Sequence, residues 1–350
     1  PRIGITWDPT KDGKTVVRAT AGIYNARVAG LSFASTRSTN GSRGQSIYRD
    51  SSLTGILGAV PAYPNLVPTS SVGTPFRPDI YVTAKDFRNP QTLAASVGVE
   101  REFLKEFGFL LKYNYAKTKY LTRFINRNDA LLGSPWTSGL NGGPNGVSTL
   151  TTVESSAKSE YNGITVGLNK RWSHNYQFQI NYTLSWDRSD DDNERDPFSF
   201  RYAKVTDLGA EWGYSDRDQR HRLNSIFVWK GPGDVNFNFR YAYRSAQPKS
   251  ITATGADANT PQDRINADGT VTQRNLGRKD NQFSSLDIRL SRPFDLGGIQ
   301  LEPIVECFNV FNSKNLKKPE TTNLIFNFDG TVQSGLGDAR QVQLGLRVIF

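Results

Sequence analysis

The chain has 350 residues, with 43 Lys plus Arg against 33 Asp plus Glu, a net charge of +10 and a mean hydropathy of -0.52. Two histidines and one cysteine exclude a disulfide framework and a Cys-based zinc site, and leave little room for metal or Ser-His-Asp chemistry. No apolar run approaches ~18 residues, so no membrane-spanning helix is encoded, and the basic residues are dispersed among acidic ones, which argues against nucleic-acid binding.

Alternation with period two dominates the sequence. In chain order, weaker copies predict strands over residues 1–7, 15–24 and 93–103. Phe107, Phe109, Leu111, Tyr113 and Tyr115 then alternate with Gly108, Leu110, Lys112, Asn114 and Ala116. Ile164, Val166 and Leu168 alternate with Thr165, Gly167 and Asn169. From 176 to 186 one face reads Tyr176, Phe178, Ile180, Tyr182, Leu184, Trp186, and the other Gln177, Gln179, Asn181, Thr183, Ser185. A weaker strand covers 220–230. Val235, Phe237, Phe239, Tyr241 and Tyr243 follow, then Leu286, Ile288 and Leu290, then Ile299, Leu301, Val305 and Cys307. The last strand sets Val342, Leu344, Leu346, Val348 and Phe350 against Gln341, Gln343, Gly345 and Arg347.

This makes about eleven strands, many of about nine to eleven residues, the length a tilted strand needs to cross a bilayer. The connections alternate short and long. The short ones fall at 8–14, 104–106, 173–175, 231–234 and 293–298. The long ones fall at 25–92, 117–160, 187–219, 245–282 and 312–339, and their Gly, Ser, Asn, Asp and Pro content predicts loops. All short turns therefore lie at one end of the strands and all long loops at the other, the polarity of an outer-membrane barrel.

A soluble sandwich also has one apolar face. Three features favour lipid. Trp7, Trp172, Tyr176 and Trp229 flank short turns, while Tyr113, Tyr115, Trp186 and Tyr243 sit near long loops, giving two interfacial aromatic belts. The opposite face carries Lys112, Arg240, Arg289, Glu302, Glu306 and Arg347, as a polar lumen would. Loops of roughly 30 to 68 residues suit few compact sandwiches. The expected fold is thus all-β, a transmembrane antiparallel barrel. A spanning sheet must close on itself, and bacterial single-chain barrels have even strand numbers. An odd count, together with a sequence that starts at Pro1 and contains no methionine, leads to the expectation of a processed chain or a fragment.

Several segments in order along the chain resemble the TonB-dependent outer-membrane receptors, particularly the Oar-like group. They are Pro1-Arg2-Ile3-Gly4-Ile5-Thr6-Trp7-Asp8-Pro9 with Asp12-Gly13-Lys14-Thr15-Val16-Val17-Arg18; Tyr161-Asn162-Gly163 with Lys170-Arg171-Trp172-Ser173; Asp218-Gln219-Arg220-His221-Arg222-Leu223; Asn266-Ala267-Asp268-Gly269-Thr270 with Arg274-Asn275; and Phe308-Asn309-Val310-Phe311-Asn312. The resemblance implies a barrel of about 22 strands around a plug. Residues 1–350 would supply its C-terminal half, the plug, the TonB box and the first strands having no counterpart in this sequence. It also implies a receptor or transporter in the Gram-negative outer membrane, taking a large or scarce ligand selected by the long loops. Expected partners are outer-membrane lipid, the TonB complex through the missing N-terminal region, the barrel-assembly machinery and an extracellular ligand of unknown identity. A structural or adhesion barrel and a passive porin are the alternatives. No cofactor and no enzymatic activity are expected.

Individual motifs are weaker. Val342, Leu344, Leu346, Val348 and terminal Phe350 resemble the C-terminal signal read by the assembly machinery. The 263–269 stretch places Arg264 at the first ligand position of a calcium loop and reads better as turn chemistry. Asp190, Asp191 and Asp192, with Glu194 and Asp196, read as a solvated loop face. His221 and Ser225 would lie ~13 Å apart along a strand, too far for a catalytic pair. His174 reads as a solvated turn residue, and Gly13-Lys14-Thr15 lacks the glycine a phosphate loop needs, Asp8 standing there. Cys307 falls on the apolar face as a small hydrophobe. Pro303 removes a ladder donor, which predicts a bulge.

Overall fold

The computed structural model describes residues 1–28, 30–42, 79–127, 150–192, 202–251, 264–315 and 338–350. The strands in chain order are β1 Arg2–Trp7, β2 Thr15–Asn25, β3 Ile80–Thr83, β4 Gln91–Phe103, β5 Phe107–Asn126, β6 Leu150–Ser173, β7 Tyr176–Ser189 and β8 Gly213–Tyr214. They continue as β9 His221–Lys230, β10 Asn236–Arg244, β11 Pro248–Lys249, β12 Gly277–Arg278, β13 Phe283–Ser291, β14 Phe294–Asp295, β15 Gln300–Phe308 and β16 Gln341–Ile349. Among the described residues one α-helix, α1, spans Leu31–Ser38. Eleven strands follow one another as antiparallel neighbours, in the order β1-β2-β4-β5-β6-β7-β9-β10-β13-β15 with β16 on β15. The sheet is open: among the described residues β1 pairs only with β2, and β16 only with β15.

Residues directly opposite in an antiparallel ladder share a face, so the register carries one face across the whole sheet. Ile5 lies opposite Ala19, Ala19 opposite Val97, Val97 opposite Tyr113, and Tyr113 opposite Ile164. Ile164 lies opposite Leu184. On the other side of β7, Phe178 lies opposite Phe227, then Phe239, then Ile288, then Cys307, then Val342. This is the apolar face read from the sequence, and it is bare: Ile5 is 60% exposed, Val97 48% and Leu344 76%. Bare apolar surface on this scale has no water-soluble explanation and fits lipid contact. The opposite face is polar and self-paired. Arg18 Nη1 lies 2.6 Å from Glu100, Arg289 lies 3.4 Å from Glu306 and Arg347 3.5 Å from Glu302. The hydroxyls of Thr20 and Ser96, and of Thr165 and Thr183, also hydrogen-bond across strands.

Short turns fall where expected, and each is locally specified. His174 and Asn175 both take positive φ, 49° and 66°, in a two-residue loop whose twist matches the flanking strands. Asp8 organises the first turn by accepting from the backbone N–H of Thr10, Lys11 and Gly13. The N–H of Gly13 contributes most to holding this carboxyl below its ordinary pKa.

Three readings need correction. First, the strands are longer than expected. β5 has 20 residues and β6 has 24, so residues expected in the 117–160 loop continue the sheet. At ~3.3 Å per residue β6 is ~80 Å long, far more than a bilayer requires, and its upper half stands outside the membrane. A break in register between Thr118 and Leu121, with Tyr120 at φ 63°, hides this continuation from a strict period-two reading. Second, Pro303 makes no bulge against β16, whose register runs unbroken through Pro303 opposite Leu346. The Pro303 carbonyl accepts from Arg292 N–H. The absent donor therefore faces the gap where the β13 ladder ends at Ile304 and that of β14 begins at Leu301. Third, the long segments are not all loop. That of 25–92 holds α1 and β3, that of 187–219 holds β8 and a 3-10 turn at Leu208–Glu211, and that of 245–282 holds β11 and β12.

The buried apolar residues lie almost entirely in this upper region. Leu121, Phe124, Ile125, Tyr81, Val153, Ala157, Tyr202 and Ala203 are all below a tenth exposed. β3 adds to β6 in parallel, and α1 closes the packing through Phe33 against Phe87, rings 5.0 Å apart and edge-on. The molecule thus has a thin wall across the membrane and a packed cap on the long-loop side.

Candidate functional site

The cap is held by buried charge. Arg123, on the extension of β5, is about 2% exposed; its Nη2 lies 2.9 Å from the Asp190 carboxylate, and its guanidinium covers the Tyr202 ring at 5.3 Å. The Tyr202 hydroxyl donates to Asp191. Burial and that neighbouring carboxylate push the Tyr202 phenol well above its usual pKa, so it stays a donor.

The next group joins segments far apart in sequence. Arg264 Nη2 donates to both oxygens of Glu211 at 2.6 Å, and Glu211 also accepts from Ala203 N–H at 2.8 Å. Arg274 pairs with Asp192 at 3.2 Å and donates to the Ser189 carbonyl at 2.6 Å. Burial is the largest influence on Asp192 and raises its pKa; Arg274 pulls it down, and the Asp216 carboxylate pushes it up. Asp218 accepts from Arg278 at 2.7 Å and from Asp187 N–H at 2.9 Å. Gly213 is required here, because a Cβ on it would strike the Arg274 carbonyl.

This cluster corrects the reading of the acidic run. Asp190, Asp191 and Asp192 are not a solvated face; their side chains are 7%, 1% and 6% exposed and each contacts a buried arginine. Glu194 and Asp196 lie outside the described residues. The turn reading of the following stretch holds: Asn266 and Thr270 bond through their backbones, and Asp268 accepts from Thr270. Arg264 is the organiser of the cap rather than a failed ion ligand. Asp263 lies outside the described residues, and among the described residues no group of three or more acidic, His or Cys side chains is arranged to hold a metal.

The remaining residues stand where their strands put them. His221 accepts from or donates to the Tyr182 hydroxyl at 2.7 Å on the lipid face, with Ser225 further along the same strand. His174 is exposed in its turn. Cys307 is a free, half-buried thiol between Ile288 and Val342. Val342, Leu344, Leu346 and Val348 form the outer face of β16, all at least 45% exposed, with Phe350 at 98%.

The residues missed in sequence are Arg123, Glu211, Arg274 and Arg278. Arg123 stands among Leu121, Phe124 and Ile125, and a charge inside such an apolar stretch is a legible sign of a buried, paired group. The other three carry no local sign, since their partners lie 53 to 85 residues away.

A cap of fixed guanidinium and carboxylate groups over a polar-walled sheet can hold loops in place above a passage. It has no arrangement of nucleophile, base and orienting group among the described residues.

A family model described as "Outer membrane beta barrel domain" matches residues 1–264. Among solved structures, the chain is similar to the outer membrane transporter YddB from Escherichia coli, with TM-score 0.58 and 10% identity, covering 99% of this chain and 40% of that one. It is also similar to the siderophore receptor PiuA from Acinetobacter baumannii, with TM-score 0.53, 10% identity and 99% and 35% coverage. The ferric-catecholate import receptor Fiu from E. coli K12 gives TM-score 0.52, 11% identity and 99% and 34% coverage. The chain therefore spans well under half the length of these relatives, and at such identities the likeness is one of fold. No curated protein sequence matches the chain.

Proposed function

This chain belongs to the outer membrane beta-barrel domain family, and from that premise we propose that it forms the C-terminal part of a TonB-dependent receptor barrel. The observation that carries the reading is the cap. The described parts of the long segments form a charge-paired structure on one side of a lipid-facing wall, as a receptor that selects its ligand outside the cell requires. A simple diffusion pore has no need of Arg123, Glu211 and Arg264 buried together above the membrane.

The two unpaired edges support a larger barrel. Exposed N–H and C=O groups on β1 and β16 are costly in hydrocarbon, so further strands would join them around a plug. The assignment to the Oar-like group rests on the sequence motifs named above. Transport energised through TonB, and a large or scarce ligand, are parts of the same proposal.

The test uses the full-length protein. Reconstituted in planar bilayers it should show no steady conductance, because a plug fills the lumen, and it should bind the purified periplasmic domain of TonB. Steady conductance without TonB binding would replace this reading with a porin.

A further inference from the structure

The register places a second set of charges on the outer face, beyond the upper aromatic belt. Lys117 lies opposite Glu160, Glu160 opposite Arg188 and Arg188 opposite Tyr214, a single row across β5, β6, β7 and β8. Each of these residues shares the face of Tyr113, Ile164 and Trp186 below. Two residues further from the membrane come Lys119 and Lys158, and the Lys158 ammonium lies over the Trp212 ring at 5.2 Å. Arg188, Arg220 and Arg278 surround the Tyr214 ring at 5.4, 4.9 and 5.3 Å. Lys117, Lys119, Lys158 and Arg188 are exposed.

The side chains of Lys117, Lys119, Lys158 and Arg188 stand apart from the buried cluster, whereas Arg220 and Arg278 reach the Tyr214 ring from it, both also pairing with Asp218. Charges pointing outward from a barrel are tolerated only above the hydrocarbon. Trp186 marks the aromatic interface, and Arg188 is ~7 Å beyond it at ~3.3 Å per residue. That is headgroup depth. The row and the two lysines beyond it carry four exposed cations against one carboxylate, Glu160, which accepts from the Asn162 amide. Lys and Arg at this depth, interleaved with Trp212 and Tyr214, present charge to phosphate and flat apolar surface to the lipid or sugar beside it.

We infer that Lys117, Lys119, Lys158 and Arg188, with Trp212 and Tyr214, form a binding patch for a phosphorylated lipid headgroup of the outer leaflet. The patch would fix the barrel's depth and hold one bound lipid against β5 to β8.

Native mass spectrometry of the full-length protein in detergent tests this. The probes are lipid A with two phosphates, dephosphorylated lipid A and phosphatidylcholine. The bisphosphorylated lipid should be retained at least about tenfold better than either control. The variant Lys117→Gln/Lys119→Gln/Arg188→Gln should lose that preference. A variant neutralising three turn-side lysines, Lys11→Gln/Lys14→Gln/Lys105→Gln, should keep it. Millimolar inorganic phosphate should not displace the lipid. Equal retention of the controls, no effect of the outer-face variant, equal loss in the turn-side variant, or displacement by free phosphate would each overturn the proposal. Heat-modifiable migration confirms folding. If the triple variant folds poorly, Lys119→Gln/Lys158→Gln removes two charges of the patch and is judged by the same comparison.

Discussion

Glu211 and Arg264 show what a single buried pair does in this molecule. Both side chains are about 3% exposed or less, and Glu211 ties the 202–211 segment to the 264–281 segment. Removing one partner leaves the other charge buried and alone, which costs about 3–5 kcal/mol. Glu211→Ala should therefore loosen the cap while leaving the membrane wall intact. Hydrogen exchange on the full-length protein should show faster exchange around residues 202–218 and 264–278, with β9 and β10 unchanged. Unaltered exchange in those segments would mean the pair does not hold the cap. This scale was the least legible in sequence. Asp190 to Asp192 look like any hydrophilic loop because nothing nearby in sequence announces Arg123, 67 residues from Asp190, or Arg274, 82 residues from Asp192.

The strands were legible because each one separates two solvents. Tyr176, Phe178, Ile180, Tyr182 and Leu184 must meet lipid, and Gln177, Gln179, Asn181 and Thr183 must meet water, so the period-two pattern is complete over the stretch that crosses. The pattern fails where that constraint ends. Above Thr118 both faces of β5 pack against protein, from Leu121 to Ile125, so alternation disappears and strand was mistaken for loop. Pro303 misled for a similar reason: its tolerance depends on a break in the neighbouring ladder, which no property of β15 reveals. The two faces of β7 give a direct comparison. Ile180→Arg, on the lipid side near mid-strand, should cost about 2–4 kcal/mol, and Gln179→Arg, its neighbour on the lumen side, should cost little. Folding titrations of the full-length protein into bilayers would measure both. Equal costs would reverse or abolish the assigned orientation.

At the scale of the molecule, the wall, the belts and the cap share one direction. Every short turn lies at one end, and every described piece of the cap lies at the other. β16 ends at the turn side with Phe350 almost fully exposed. Deleting Phe350 should reduce the heat-modifiable, folded fraction in outer membranes several-fold, more than the ~1.5–3 kcal/mol of one buried side chain suggests. The inward change Gln343→Ser should have little effect. Normal folded levels after the deletion would remove β16 as an assembly signal. The central claim, a lipid-embedded wall carrying its folded cap outside the cell, is tested most directly by cysteine accessibility in the full-length protein. Cys307 is first replaced by Ser, and single cysteines are then placed at the exposed positions Asp207, in the cap, and Lys14, in the first short turn. On intact cells an impermeant maleimide should label Asp207→Cys and spare Lys14→Cys until the outer membrane is permeabilised. Labelling of Lys14→Cys but not of Asp207→Cys on intact cells would contradict it.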